Sequence, residues 1–185
     1  MNNDLESKFR THFGVAKQVK YASYDISEEP MFSEDYRDCN GVVLLGHKRA
    51  ALSHFSRIID VESGKPAWFG PYTTKVYSPG GETDYHEIDP RKYLEEMFEE
   101  MVSQGEREMQ AVLLGGDPTH FEINKKFLEE KRIPIVGQYL DGWKERNGEF
   151  LKTHSGKNLV VLPTLQEVIM YSNNEGYGQL APNPF

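Results

Sequence analysis

Two short apolar runs, separated by only four residues, constrain the fold of this chain more than any other feature. The runs are residues 40–45 and 50–55, and residues 46–49 link them. Runs of this length, bounded by turn residues, are typical of buried strands. A link of four residues can join only antiparallel neighbours, so the pattern predicts a hairpin inside the core.

The length of the turn decides how the only cysteine, Cys39, lies relative to His54. With residues 46–47 as a two-residue loop, Cys39 is directly opposite His54, with their Cβ atoms about 5 Å apart. With a four-residue loop the pairing shifts by two, and the two residues become diagonal neighbours that can still touch. Both registers put the thiol and the imidazole on one face of the hairpin.

A thiol beside an imidazole is the minimal arrangement for a cysteine nucleophile. His54 would take the thiol proton and later return it to a leaving amine, while Cys39 attacks a carbonyl carbon. On this interpretation we expect a thiolate near neutral pH. Ser33, Asp35 and Asp38 are candidates for a third group that orients the imidazole, and the sequence does not choose among them. Simple packing of a lone cysteine and a lone histidine is the alternative.

The rest of the chain predicts helices among many strands. The predicted elements are a strand within 13–26, a helix at 90–104, a strand at 109–114, a helix at 119–131, a strand at 133–136, a hairpin of 150–153 with 158–162, and an edge strand at 168–171. Asp89 as N-cap, Pro90 at the first position and Gly105 at the end give the first helix its boundaries.

This pattern predicts an α+β fold, a layered β-sandwich or mixed sheet with the two main helices covering one sheet. We expect a single domain over 1–185, with its core at about 13–171 and loosely held termini.

Residues 62–84 are rich in glycine, proline, serine and threonine, with aromatic side chains between them, among them Trp68. Long loops of this kind are often functional, and a small extra hairpin is the alternative. Trp68 is accordingly a candidate for gripping a substrate or a partner, or for packing over a sheet edge.

Gly115 and Gly116 follow a predicted strand and precede a predicted helix. Such a pair lets a substrate approach the backbone closely, or simply makes the turn between strand and helix. We keep both as candidate substrate-binding residues.

The net charge of −8 argues against nucleic acid and anionic membranes as default partners. A single cysteine excludes an intrachain disulfide. No apolar stretch approaches the length of a transmembrane helix, and no secretory signal is visible. We therefore expect a cytoplasmic protein, or one exported without such a signal. No cluster of histidine and cysteine has the spacing of a metal site.

Short motifs occur in a fixed order between about residues 36 and 162. They are Cys39-Asn40-Gly41-Val42-Val43-Leu44-Leu45, Ala51-Leu52-Ser53-His54-Phe55, Leu114-Gly115-Gly116, Asn124 in the second helix, Ile133-Pro134-Ile135-Val136, Asp141-Gly142-Trp143 and Ser155-Gly156-Lys157. In this order the chain resembles the CheD family of chemoreceptor glutamine deamidases, which shares its fold and Cys/His core with deamidase toxins of the cytotoxic necrotizing factor type. The family's Gly-Leu-Gly-Ser before the cysteine is replaced by Tyr36-Arg37-Asp38, and the aromatic loop at 65–80 looks like an addition. The chain therefore resembles a divergent member.

The resemblance implies a Cys-dependent amide hydrolase that converts a glutamine side chain of a protein substrate to glutamate and releases ammonia. Cys39 would be the nucleophile, His54 the base, and Ser33 would stand near the position of the family's catalytic threonine. No cofactor is needed, and the context would be related to chemotaxis. The alternatives are a non-catalytic protein-binding module on the same scaffold, a thiol protease, or an acyl-transfer enzyme of the transglutaminase type.

Overall fold

The fold is α+β and layered, as predicted from the sequence. The computed structural model describes residues 3–36, 39–56, 58–60, 72–77, 84–116, 118–140, 143–146, 149–152, 156–173 and 176–181. Among these residues are three α-helices: α1 (Asn3–His12), α2 (Pro90–Ser103) and α3 (Pro118–Glu130).

The strands fall into two large sheets and two small ones. In chain order they are β1 (Lys17–Gln18), β2 (Ser23–Ser27), β3 (Met31–Tyr36), β4 (Gly41–Leu45), β5 (Ala50–His54), β6 (Ile58–Asp60), β7 (Thr73–Tyr77), β8 (Asp84–Ile88), β9 (Gln110–Gly115), β10 (Ile135–Leu140), β11 (Trp143–Arg146), β12 (Glu149–Lys152), β13 (Lys157–Leu162), β14 (Glu167–Ser172) and β15 (Gly176–Ala181). The first sheet has the order β10-β9-β4-β5-β2, and the second sheet has the order β1-β3-β13-β14-β15. Only the pairs β10–β9 and β1–β3 are parallel in these two sheets.

The two large sheets pack face to face around a central core. Its members from the first sheet include Val43, Leu45, Leu52, Val112 and Leu114, and those from the second include Leu159, Val161, Val168 and Met170. β4 is apolar on both faces because its other face is covered as well, and this explains a continuous apolar run where an exposed strand would alternate.

Helices cover both outer surfaces, which gives four layers. On the first sheet, α2 and α3 pack through Tyr93, Leu94, Met97, Phe127 and Leu128. On the second sheet, α1 packs through Leu5 and Phe9. The prediction of two helices over one sheet is therefore confirmed, and α1 adds a layer over the other sheet. No helix in the described parts of the chain is both long and apolar enough to cross a membrane.

The boundaries predicted for the first long helix are confirmed. The Asp89 carboxylate accepts hydrogen bonds from the N–H groups of Arg91 and Lys92, and Pro90 occupies the first turn. At the other end, Gly105 has a φ of +95°, in the left-handed region that favours glycine.

The predicted hairpin of 150–153 with 158–162 is wrong. β12 pairs with β11, whereas β13 lies between β3 and β14 in the second sheet. β14 is also internal, because β15 pairs with its other side, so 168–171 is not the predicted edge strand. The apolar side chains of β13 and β14 are buried in the sandwich, and a hairpin outside it would leave them without that cover.

Residues 3–12 and 176–181, outside the expected core of 13–171, take part in the packing. Leu5 and Phe9 are buried against the second sheet, and Ala181 at the end of β15 is fully buried. The turns of α1 place its few apolar side chains on one face, which the polar composition of the segment obscured.

The segment at 62–84 contributes part of a small three-stranded sheet of order β6-β8-β7, in which β7 and β8 pair antiparallel. This agrees with the extra-hairpin alternative for the residues that are described. Residues 61–71 and 78–83, and Trp68 with them, lie outside the described residues.

The β4–β5 hairpin adopts the register of the longer turn. Leu45 pairs with Ala50, so the two-residue loop at 46–47 is wrong and the four-residue alternative is confirmed. The reason lies outside the hairpin. Glu106, which is only 3% exposed, accepts hydrogen bonds in the turn from the backbone N–H groups of His47, Lys48 and Arg49, at 2.5, 3.1 and 3.0 Å. A Cβ atom at position 46 would lie 2.5 Å from this carboxylate, so a larger residue there would displace the Glu106 side chain from the turn.

We expect Glu106→Gln to lower the free energy of unfolding by about 2–4 kcal/mol, because an amide NH₂ would face backbone donors that the carboxylate now satisfies. Urea unfolding followed by circular dichroism measures this loss. The matched control is Glu108→Gln, an exposed carboxylate two residues away, which should change stability by less than about 0.5 kcal/mol. Equal stability of the two variants would show that the turn does not depend on Glu106.

Candidate active site

The candidate site is built on a β-bulge in β3. Between the pairs Ser33–Leu159 and Tyr36–Lys157 the strand β3 advances three residues while β13 advances two. The extra residue is accommodated at Asp35, which has a φ of +62°, and its N–H donates to the side-chain oxygen of Asn158 at 2.9 Å. Bulges of this kind redirect side chains.

The bulge makes Ser33 and Tyr36 face the same way. Three positions apart in a regular strand, the two side chains would lie on opposite faces. Here both are fully buried, while the two residues between them are exposed. Both side chains consequently meet His54, the last residue of β5 in the facing sheet.

The hydroxyl of Ser33 fixes the tautomer of His54. Ser33 Oγ donates to the Val19 carbonyl at 2.7 Å and lies 2.9 Å from His54 Nδ1. A hydroxyl has one proton, so with that proton on Val19 it accepts from Nδ1–H. His54 Nε2 is then the unprotonated nitrogen. It is buried and has no hydrogen-bond partner among the residues that the structure describes.

Two aromatic rings hold the plane of the imidazole. The Tyr36 ring stacks on His54 with centroids 3.9 Å apart and planes at 16°. The Tyr21 ring contacts the imidazole edge to face, with centroids 5.5 Å apart and planes at 70°. With Nδ1 bound to Ser33 and one face covered by Tyr36, the imidazole is fixed both in its rotation and in its plane.

Cys39 lies where the chain passes from β3 in the second sheet to β4 in the first. The neighbouring residue Asn40 forms a bridge with Phe55. Continuing this register by one residue makes Cys39 a diagonal neighbour of His54, with Cβ atoms about 7 Å apart or less. A charged Cys39 would also raise the pKa values of Tyr21 and Tyr36, beyond the larger effect of their burial. Cys39 also belongs to the same buried cluster as Tyr36, and Tyr21 packs against that cluster, so the thiol lies among the rings that contact His54.

A cavity of about 430 Å³ opens beside the site. It is lined by Gln18, Val19, Lys20, Tyr21, Glu34, Asp35 and His54. His54 itself is 4% exposed and Cys39 is 9% exposed. The cavity therefore reaches His54, while Cys39 lies behind its lining residues.

Burial keeps both candidate groups neutral at rest. It raises the pKa of Cys39 to about 12, and the negative charge of Asp35 adds to that increase. Burial also lowers the pKa of His54 to about 4, although Asp35 opposes this decrease. The expectation of a resting thiolate near neutral pH is thus wrong for this arrangement, because desolvation penalises the charged form of each group.

The predicted substrate-binding residues Gly115 and Gly116 lie at the end of β9. A Cβ atom at position 115 would lie 2.4 Å from the ring of Phe121 in α3, so the first glycine makes room for the helix layer. This agrees with the turn-and-packing alternative, since Cys39 and His54 face the other side of the sheet. Trp68, the third predicted residue, lies outside the described residues.

Tyr36 and Val19 are the site residues that the sequence did not single out as functional. No strand was predicted for residues 31–36, and the bulge that turns Tyr36 to the same face as Ser33 carries no sequence signal. Val19 contributes only a backbone carbonyl, for which the sequence carries no signal.

Within the described parts of the chain, no group of three histidine, cysteine, aspartate or glutamate side chains is arranged to hold a metal ion.

No protein-family model matches this chain, and no curated protein sequence does.

We expect Cys39 to react slowly with iodoacetamide at pH 7, at least about a hundredfold more slowly than in the urea-unfolded chain, because little thiolate forms in the folded state. The rate should keep rising through pH 10 without a plateau. Mass spectrometry of the alkylated chain measures it without ambiguity, since the chain has one thiol. A plateau near neutral pH would contradict the burial argument.

The low pKa of His54 has a consequence for stability. The unfolded chain binds a proton at His54 near the ordinary value of 6.5, whereas the folded chain binds it only near 4. The contribution of His54 to the free energy of unfolding is therefore largest above pH 6.5 and should fall by on the order of 3 kcal/mol as the pH drops to about 4.

His54→Phe, which keeps a ring in the same position, should remove most of this pH dependence in urea unfolding measured from pH 7 to 4. His47→Gln, at the exposed turn of the hairpin, is the control and should keep the wild-type slope. An unchanged slope in His54→Phe would assign the acid sensitivity to other groups.

Proposed function

We propose that this protein is a cysteine-dependent protein-glutamine deamidase, with Cys39 as nucleophile, His54 as general base and acid, and Ser33 as the group that orients His54. The observation that carries the proposal is the chain of hydrogen bonds from His54 Nδ1 to Ser33 and on to the Val19 carbonyl. It leaves Nε2 unprotonated at a diagonal position to the only thiol of the chain. The resemblance to the CheD family supports the same assignment.

In the proposed reaction, the sulfur of Cys39 attacks the carbonyl carbon of a glutamine side chain while His54 Nε2 takes the thiol proton. The imidazolium then gives that proton to the leaving nitrogen, and ammonia departs as the C–N bond breaks. Water, deprotonated by His54, attacks the thioester, and the C–S bond breaks to release glutamate and the thiol. The net change is one amide and one water to one carboxylic acid and one ammonia.

Because Cys39 and His54 are both neutral at rest, the thiol proton would pass to His54 in the same step as the sulfur attacks the substrate carbon. A thiolate and an imidazolium are both disfavoured in this buried environment, so neither forms before a substrate arrives. Bond formation to carbon lowers the basicity of the sulfur, and Nε2 accepts the proton at that moment. Protection of the thiol between turnovers follows from the same burial.

The burial of Cys39, which is only 9% exposed, favours a side-chain amide over a peptide bond. A glutamine carboxamide ends a flexible side chain and can enter a recess, whereas a main-chain amide brings chain on both sides. This argument makes a deamidase a better match than a thiol protease. If an amine replaces water at the thioester, the same residues give transglutamination.

A non-catalytic binding module is the second candidate function. The observation in its favour is the burial of Cys39, which has the exposure and the raised pKa of an ordinary packing cysteine. The two functions differ in what the hydrogen bonds at His54 do. In the deamidase they orient a base for catalysis, whereas in the binding module they only stabilise the fold.

We expect incubation with unfolded β-casein in ¹⁸O-labelled water to convert glutamine to labelled glutamate, detected by peptide mass spectrometry. Cys39→Ser should abolish conversion, and His54→Ala should reduce it by about a hundredfold or more. Ser33→Ala should reduce it in part, because the imidazole loses its fixed tautomer, and Ser33→Thr should retain it because the hydroxyl is kept.

Ser53→Ala is the matched control for Ser33→Ala. Ser53 is equally buried and accepts a hydrogen bond from the Val42 N–H, but it precedes His54 on the opposite face of β5. It should keep activity, and thermal melts of each variant check the fold. No Cys39-dependent conversion in β-casein or in a total protein extract would overturn the deamidase, and peptide cleavage in its place would indicate a protease.

A further inference from the structure

Tyr36 makes a contact with His54 that the proposed reaction does not yet use. Its ring is fully buried and lies parallel to the imidazole with centroids 3.9 Å apart. A cation within about 6 Å of an aromatic centroid, over the ring face, is attracted by the electrons of that face. The neutral imidazole is held by ordinary stacking, and the same geometry becomes a cation–π contact once the imidazole is protonated.

The surrounding structure fixes this ring in place. The Tyr36 hydroxyl donates to the Ser53 carbonyl at 2.8 Å. In the hairpin register Gly41 lies opposite His54, and a Cβ atom there would lie 2.8 Å from the Tyr36 ring. Glycine at this position leaves the space into which the ring fits. Three features therefore hold the Tyr36 ring against His54: its hydrogen bond to the Ser53 carbonyl, the space left by Gly41, and the bulge in β3.

We propose that Tyr36 is a positioning residue that stabilises the imidazolium form of His54 through its ring face. The inference rests on the proposed function in one respect, namely that His54 must carry a proton between the attack by Cys39 and the departure of ammonia. Burial alone would make that charged state unfavourable. The ring face offsets part of this penalty without adding a second titratable group in contact with Nε2.

Other groups also act on the charge of His54. Those that face it or line its cavity are Asp35 and Glu34 from β3, Cys39 from the following connection, and Lys20 and Tyr21 from the segment before β2. A test of Tyr36 must therefore change the electrons of its ring while the shape of the site and these charges stay constant.

Fluorinated phenylalanines withdraw electrons from the ring face while they largely keep the shape of the ring. Position 36 is replaced in the full chain by phenylalanine, difluorophenylalanine, trifluorophenylalanine and pentafluorophenylalanine, which keep a similar shape while the ring face loses electrons. The pKa of His54 is then measured by NMR of the imidazole carbon. We expect it to fall stepwise along the series, by about one unit in total.

Phe55 provides a matched control for the fluorine itself. It follows His54 directly, is fully buried, and stacks on Tyr93 with the same centroid distance of 3.9 Å and angle of 16°, but on the opposite face of β5. The same series at position 55 should leave the pKa of His54 unchanged. A flat series at position 36, or equal shifts at the two positions, would overturn the proposal.

The readout does not depend on turnover, so it remains interpretable if the deamidase assignment fails. If the chain unfolds in acid before His54 titrates, the midpoint of acid unfolding replaces the pKa. It should move to higher pH along the series at position 36, and an unmoved midpoint would equally overturn the proposal. Where deamidation is detectable, kcat should fall along the series while KM stays constant.

Discussion

The β-bulge at Asp35 is the constraint on which the candidate site depends. Without the extra residue in β3, Ser33 and Tyr36 would lie on opposite faces, and His54 would lose either its hydrogen bond or its stacking partner. Aspartate tolerates the left-handed backbone better than most residues. The side chain of Asn158 accepts the N–H that the bulge removes from the ladder. A local irregularity in one sheet thereby orients an imidazole that belongs to the other sheet.

Burial determines the chemistry that this arrangement can perform. The same desolvation raises the pKa of Cys39 and lowers that of His54, so an ion pair of the two is disfavoured at rest. An exposed cysteine–histidine pair would gain reactivity at rest and lose protection from oxidation. In the buried site, the fixed tautomer of His54 and the ring of Tyr36 matter only while charge is being transferred. The features that distinguish this pair from packing residues are therefore the hydrogen-bond order and the stacking, not the resting pKa values.

Much of the fold could be predicted from local patterns, and the parts that could not depend on distant partners. The helix from Asp89 to Gly105 carries its own start and stop signals, and the apolar runs identify the central hairpin. The register of that hairpin is fixed by Glu106, more than fifty residues further along the chain. The partner predicted for β13 was wrong, because the apolar pattern of β13 indicates that the strand is buried but does not indicate which strands lie beside it. For the site, the alternation of side chains along the hairpin placed Cys39 and His54 on one face for either turn length. The bulge that brings Tyr36 to His54 has no sequence signature.

The two sides of the sandwich differ in a way that gives the proposed substrate a direction of approach. On one side, β10 and β15 come so close that a Cβ atom at Gly137 would lie 1.8 Å from the Leu180 carbonyl oxygen. At this point the contact between the two strands leaves no room for a side chain at position 137. On the other side, β1 and β2 are the terminal strands of their sheets, and the cavity that includes His54 is lined by the segment that links them and by Glu34 and Asp35 of β3. In the proposed reaction a glutamine side chain would therefore enter the cavity on this side, past Lys20 and Tyr21, and approach an imidazole that is already oriented.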